Sequence, residues 1–159
     1  MKVAVDTNVF IRLLSGNEEL APPARAVLER TSREAEVVVS PAVFAELVAG
    51  SRSLEDVARF FEEKSITVHW DLDRQLWREA GLRYAAYARD RRKEGSGGPR
   101  RILADFLIGS HALLMAGANL LTSDTRIFAN YFPELRIVTP ADKPPKPEIQ
   151  EGSGHNGDQ

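Results

Sequence analysis

The hydrophobic pattern of the chain alternates between short apolar runs and longer segments with helical spacing. The first run ends at Asp6, the second is Val37-Val38-Val39, and later runs cover residues 66–69, 119–122 and 137–138. We expect each run to be a buried strand. Between the runs, apolar residues recur three or four positions apart, which predicts amphipathic helices. The pattern therefore predicts an α/β fold built from strand–helix–strand units.

The same pattern predicts seven helices, over residues 8–14, 19–33, 41–50, 53–64, 71–93, 102–117 and 125–132. Pro22 and Pro23 place the start of the second helix near them, and Ser40-Pro41 marks the start of the third. In the fifth helix, one stripe carries Trp77, Gly81, Tyr84 and Ala88. We expect this stripe to be core or a dimer seam rather than a base-stacking surface.

Length and composition limit the function classes. The 159 residues are 43% hydrophobic, which is enough for one globular domain over residues 1–140. Residues 141–159 are rich in proline, glycine and charge, and we expect a disordered tail there. A formal charge of -2 gives no overall cationic field, so nucleic acid must be bound by a local basic patch or through metal ions.

The absence of cysteine excludes disulfides and thiolate metal sites, and it fits a reducing compartment. No apolar run approaches membrane-spanning length. We therefore expect a cytoplasmic protein without a membrane segment.

Four acidic residues occupy positions where a simple surface role is not the only explanation. Asp6 and Asp124 each follow a predicted strand, Asp105 opens an apolar helix, and Glu46 lies within another. Simpler alternatives exist for each of them. Asp6 and Asp124 can be helix N-caps, Glu46 can face solvent, and the helix dipole can stabilise Asp105 in a first turn.

Together, the four acids can meet at the carboxyl edge of one parallel sheet. Carboxylates that lie close together repel by ~2 to 4 kcal/mol per pair at an effective dielectric of ~20. Such a site takes up protons or binds a cation, and an all-oxygen ligand set favours Mg²⁺ or Mn²⁺. The matching chemistry is attack of water on a phosphodiester, with a metal ion lowering the pKa of the water.

A basic segment precedes Asp105. Its six cationic residues are Arg89, Arg91, Arg92, Lys93, Arg100 and Arg101. They are either a solvated helix end that the helix dipole stabilises or a weak RNA-binding patch that contacts phosphates. His111 lies about 240° round the helix from Asp105, so we expect it to have a structural role.

In this order, the segments VDTNVF, AEL, ADFLIGSHAL and LLTSDTRIFANYFPELRIV resemble the PIN-domain ribonucleases, and most closely the VapC-type toxins of toxin–antitoxin pairs. The resemblance implies a PIN-like (RNase H-like) three-layer sandwich with a central, mainly parallel sheet of four to five strands. It also implies a metal-dependent endoribonuclease that forms homodimers, leaves 5′-phosphate and 3′-hydroxyl ends, and is inhibited by a VapB-like antitoxin with a basic side chain in the acidic pocket.

The resemblance also assigns site residues. Catalytic roles fall on Asp6, Glu46, Asp105 and Asp124, and Mg²⁺ or Mn²⁺ would be held by Asp6, Asp105 and Asp124. Thr7 and Asn8 would support the Asp6 carboxylate, and Thr122 would line the site. The glycine-rich basic loop before Asp105 and the tail after Thr139 are longer than a minimal family member needs, so RNA choice and assembly are not predicted.

Three other readings of the sequence compete with this one. A haloacid-dehalogenase-like phosphatase also begins with a strand that ends in aspartate, but it needs a second aspartate where this chain has Asn8. A two-histidine ribonuclease is disfavoured because His69, His111 and His155 lie in unrelated contexts. A non-catalytic PIN-like module that binds RNA or protein has no need of a costly acidic pocket.

Overall fold

The computed structural model describes residues 1–50, 53–95 and 103–140. Within these ranges, five strands form one sheet in the order β3-β2-β1-β4-β5, and every strand pairing is parallel. The strands are β1 Lys2–Val5, β2 Glu36–Val39, β3 Thr67–Val68, β4 Asn119–Leu121 and β5 Arg136–Val138. The predicted α/β architecture is confirmed.

The central strand β1 explains why the apolar runs are continuous rather than alternating. Ala4 pairs with Val38 on one side and with Leu120 on the other, and at most 1% of each of these side chains is exposed. A strand that is covered on both faces gains free energy from an apolar residue at every position.

Seven helices lie among the described residues: α1 Thr7–Leu14, α2 Ala21–Glu34, α3 Pro41–Gly50, α4 Leu54–Glu63, α5 Arg74–Lys93, α6 Leu103–Met115 and α7 Thr125–Tyr131. Helices α1 to α4 lie in the connections from β1 to β2 and from β2 to β3, which run toward the β3 edge of the sheet. Helices α5 to α7 lie in the connections from β3 to β4 and from β4 to β5, which run toward the β5 edge. Right-handed crossovers therefore place the two groups on opposite faces of the sheet. Helices α3 and α6 also contact each other.

Helix starts depend on capping side chains. Asp73 accepts a hydrogen bond from the backbone N–H of Leu76 at 2.8 Å, so α5 begins at Arg74 and not at residue 71 as predicted. Ser53 caps α4 in the same way. Ser40 accepts a hydrogen bond from the backbone of Ala42, which confirms the predicted start of α3.

The predicted stripe of α5 divides into two parts. Ala88 is buried and Tyr84 is half-buried, with its ring 5.2 Å from that of Phe106 on α6. Trp77 is 51% exposed and Gly81 is exposed, so a core role is wrong for these two residues.

Some predictions fall outside the described residues. These are Arg100 and Arg101, most of the glycine-rich loop, and the tail over residues 141–159. Among the helices of the described ranges, none has both the length and the apolar character needed to cross a membrane.

Candidate functional site

Asp6 lies at the carboxyl end of β1, and its side chain is only 3% exposed. Asp6 is the N-cap residue of α1, but its side chain makes no capping hydrogen bond. Oδ2 accepts a hydrogen bond from Nδ2 of Asn8 at 2.7 Å and another from the hydroxyl of Thr122, also at 2.7 Å. The carboxylate is therefore held by residues from two neighbouring strand ends.

Asn8 and Thr122 also organise the loop after β4. Oδ1 of Asn8 accepts a hydrogen bond from the backbone N–H of Ser123 at 2.9 Å. The Thr122 hydroxyl oxygen accepts one from the backbone N–H of Asp124 at 3.0 Å. Asn8 and Thr122 thus tie the loop that carries Asp124 to the Asp6 carboxylate.

Thr7 interacts with two of the acids. Its backbone N–H hydrogen-bonds the Asp6 carboxylate and lowers the pKa of Asp6, and its hydroxyl donates a hydrogen bond to Oε2 of Glu46 on α3. Glu46 is exposed, but this bond ties it to the first turn of α1. Glu46 is therefore oriented toward the end of β1 and does not simply face solvent.

Asp105 is half-buried in the first turn of α6. The pKa of Asp105 is raised to about 7, mainly by burial and in addition by the negative charges of the other three acids, Asp6, Glu46 and Asp124. All four predicted site acids are thus close enough to interact. The pKa of Asp6 is likewise raised to about 6. Burial is the main cause, the hydrogen bond from Thr122 opposes it, and the charge of Glu46 adds to it.

Asp124 serves as a helix cap as well. Its Oδ1 accepts a hydrogen bond from the backbone N–H of Arg126 at 3.2 Å, at the start of α7. This N-cap explains part of its position, but its charge still acts on Asp105. The two explanations are compatible, since only one carboxylate oxygen is needed for the cap.

The site residues fit a hard divalent cation. Within the described part of the chain, no ion pair involves any of the four acids, and no three acidic or histidine side chains form a closed metal-binding group. The carboxylates therefore interact electrostatically without forming a complete cage. Their donors are all oxygen, and a cation would relieve the unfavourable charge on the buried Asp6 and on Asp105.

The comparison with known families decides the identity of this architecture. The PIN domain model matches residues 3–132, which include all four acids. The chain belongs to the PIN domain family. No curated protein sequence matches the chain.

Several solved structures have the same fold as this PIN domain. The chain is similar to VapBC-1 from nontypeable Haemophilus influenzae (24% identity, TM-score 0.58) and to VapBC2 from Rickettsia felis bound to a promoter DNA fragment (19%, 0.56). It is also similar to DNA-bound VapBC from Salmonella typhimurium (20%, 0.55). Each match covers 87% of this chain and 98% of the other chain. At these identities, the likeness shows the fold.

Four of the six predicted RNA-binding residues lie at the end of α5. Arg89, Arg92 and Lys93 are exposed, and Arg91 is half-buried. The last turn of a helix favours cations because its carbonyl groups point outward. Contact with RNA phosphates remains a prediction for these four residues.

The two histidines of the described chain are paired, so the prediction of unrelated contexts is wrong. Nδ1 of His69, which follows β3, lies 3.0 Å from Nε2 of His111 on α6. His111 is fully buried, and burial lowers its pKa to about 3. A histidine without access to solvent cannot exchange protons with an RNA substrate. A sequence signal did exist, because both are polar residues at predicted buried positions.

Proposed function

We propose that this PIN domain is a metal-dependent endoribonuclease that acts in the cytoplasm as the toxin of a toxin–antitoxin pair. One observation carries the proposal. Asp105 is half-buried next to Asp6, Glu46 and Asp124, and both its burial and their charges raise its pKa, in a family whose model covers the whole site. A binding module gains nothing from such a costly arrangement of charge.

The four acids have separate roles in this proposal. Asp6, Asp105 and Asp124 would hold Mg²⁺ or Mn²⁺, and a bound ion would supply positive charge against the phosphodiester and a lower pKa for the attacking water. Asn8 and Thr122 keep the Asp6 carboxylate in place through their hydrogen bonds. Thr7 occupies Oε2 of Glu46, which leaves Oε1 to accept the proton of the water.

RNA binds across the carboxyl edge of the sheet in this account. The exposed cations at the end of α5 precede the helix that carries Asp105, and they contact the phosphates on one side of the site. Hydrolysis leaves a 5′-phosphate and a 3′-hydroxyl, as the resemblance to VapC-type toxins implies.

A VapB-like antitoxin is the proposed protein partner. The three similar structures are all VapBC complexes by their descriptions. Beside Glu46 lies a groove of about 500 Å³, where Ile11 and Leu14 are more than half exposed and Asp56 adds a second acid. Apolar side chains of an antitoxin segment fit this groove, and a basic side chain at its end would reach Glu46.

We also propose a homodimer that uses the surface around Trp70 and Trp77. These tryptophans are 61% and 51% exposed and border one depression with Asp71 and Asp73. The exposed Arg78 lies one turn after Arg74, so acids and arginines flank the aromatic pair. A two-fold interface needs such self-complementary charge. Light scattering should show a dimer that Trp77→Asp converts to a monomer.

The experiment that tests the enzymatic proposal is cleavage of total RNA by the purified protein, free of any partner, with Mn²⁺ or with EDTA. Discrete fragments should form only with metal and should be absent with Asp6→Asn. Glu55→Gln is a control that removes one exposed negative charge from α4. RNA binding without cleavage, unaffected by Asp6→Asn, would favour the binding module instead.

A further inference from the structure

Gly109 on α6 lies against the ring of Phe132, which follows α7. A Cβ atom added to Gly109 would lie 2.5 Å from both Cε2 and Cζ of this ring and 2.8 Å from Cδ2. Carbon atoms do not approach each other so closely without displacement of one of them. Glycine therefore lets α6 approach the end of α7 more closely than any other residue would.

The Phe132 ring is enclosed and cannot easily move aside. It is fully buried, and its centre is 5.9 Å from that of Phe106 on α6. The guanidinium carbon of Arg83 on α5 lies 4.6 Å from the ring centroid. A buried ring with neighbours from two other helices has little freedom to accept an extra methyl group.

Arg83 is itself fixed. It donates two hydrogen bonds of 2.9 Å to the carboxylate of Glu134, one of 2.6 Å to Glu79, and one of 2.6 Å to the backbone oxygen of Tyr131. Glu79 lies on α5, whereas Tyr131 and Glu134 lie at and beyond the end of α7. The guanidinium therefore connects α5 to the segment that holds the Phe132 ring.

This junction bears on the candidate site. Asp105 precedes Gly109 by four residues on the same helix, a rise of about 6 Å. Asp124 is the N-cap of α7, the helix that ends beside Phe132. We propose that Gly109 and Phe132 are positioning residues, whose contact sets the separation of the Asp105 and Asp124 carboxylates. The inference rests on the proposed function, in which these two carboxylates share a divalent ion.

The test is Mn²⁺ binding to the folded protein by calorimetry in the absence of RNA. Gly109→Ala should weaken Mn²⁺ affinity about tenfold, because displaced supporting residues typically cost metal affinity on this scale. Gly81→Ala is the matched control, since an added Cβ on that exposed helical glycine has nothing within 4 Å. It should bind Mn²⁺ like wild type.

A second control separates positioning from general destabilisation. Val57→Ala removes buried side-chain volume from α4, away from the α6–α7 contact, and should lower the melting temperature without changing Mn²⁺ affinity. All affinities are measured well below the melting temperature of each variant. A loss of affinity in Val57→Ala equal to that in Gly109→Ala would overturn the inference.

Rescue gives the most specific readout. Phe132→Leu removes Cε2 and Cζ, the two ring atoms that an alanine at position 109 would meet most closely, so the double variant Gly109→Ala/Phe132→Leu should recover most of the affinity that Gly109→Ala loses. If Gly109→Ala does not fold, Phe132→Leu alone decides, because loss of the contact should still weaken Mn²⁺ binding severalfold.

The other outcomes also have a definite meaning. Unchanged Mn²⁺ affinity in every folded variant, beside active and metal-binding wild type, would contradict the positioning role and leave the nuclease proposal intact. Folded wild type that neither binds Mn²⁺ nor cleaves RNA would overturn the proposed function, and the positioning role with it.

Discussion

Thr122 Oγ1 lies 2.7 Å from Oδ2 of Asp6 and joins the ends of β4 and β1 through one hydrogen bond. The threonine is fully buried, and the aspartate nearly so. This bond lowers the pKa of Asp6 against the effect of burial, so it helps to keep the carboxylate in its charged form.

Thr122→Val keeps the shape of the side chain but removes the hydroxyl. The pKa of Asp6 should rise above about 6, and the alkaline rise of metal-dependent cleavage should move to higher pH. The free energy of unfolding should fall by ~1 to 3 kcal/mol, because Asp6 and the backbone N–H of Asp124 lose a partner. Urea denaturation and a pH–rate profile measure the two effects.

Thr122→Ser is the control, since it retains the hydroxyl. It should keep the pH profile of wild type even if the lost methyl group costs some stability. A valine variant with an unshifted profile would show that the hydroxyl does not act on Asp6.

The raised pKa values of Asp6 and Asp105 predict how metal-free stability depends on pH. The folded protein holds protons that the unfolded chain releases near pH ~4. The stabilisation that these bound protons give is complete below that pH. It is lost as the pH rises through about 6 for Asp6 and about 7 for Asp105. Urea midpoints in EDTA should therefore fall over this interval, and added Mn²⁺ should restore them.

Asp105→Asn isolates this effect. Because the amide does not titrate, the difference in unfolding free energy between wild type and variant should change with pH across the same interval. A constant difference would mean that the Asp105 carboxyl group titrates alike in the folded and unfolded states.

His111 predicts a stability change of the opposite sign. The pKa of His111 is lowered to about 3, mainly by burial and in addition by the nearby His69 and Lys2. The unfolded histidine takes up a proton near pH ~6.5, so stability falls as the pH drops below this value. His111→Gln should reduce this loss in urea denaturation at low pH, measured beside His69→Gln. If the unfolding free energy of His111→Gln depends on low pH as steeply as that of wild type, His111 is not the source of the loss.

The order of strands and helices was predictable because it depends on local patterns. Continuous valine and leucine runs follow from strands buried on both faces, and Ser40-Pro41 follows from capping chemistry. The start of α5 was not predicted, since Asp71 and Asp73 are both suitable caps. Only packing of the preceding residues decides which of them is used.

The candidate site was predictable where strand ends determine it, as for Asp6 and Asp124. Contacts between distant segments were not. Thr7 and Glu46 are separated by 39 positions, His69 and His111 by 42, and Arg83 and Glu134 by 51. Such pairs depend on how helices pack, which hydrophobic periodicity does not specify.

The most direct test of the account is Asp105→Asn, studied with and without Mn²⁺ beside wild type and Glu55→Gln. The account predicts that wild type and Glu55→Gln cleave RNA and gain melting temperature with Mn²⁺, whereas Asp105→Asn does neither. In EDTA at neutral pH, Asp105→Asn should be at least as stable as wild type, because a half-buried, repelled charge is gone. Cleavage by Asp105→Asn at the wild-type rate would contradict the account.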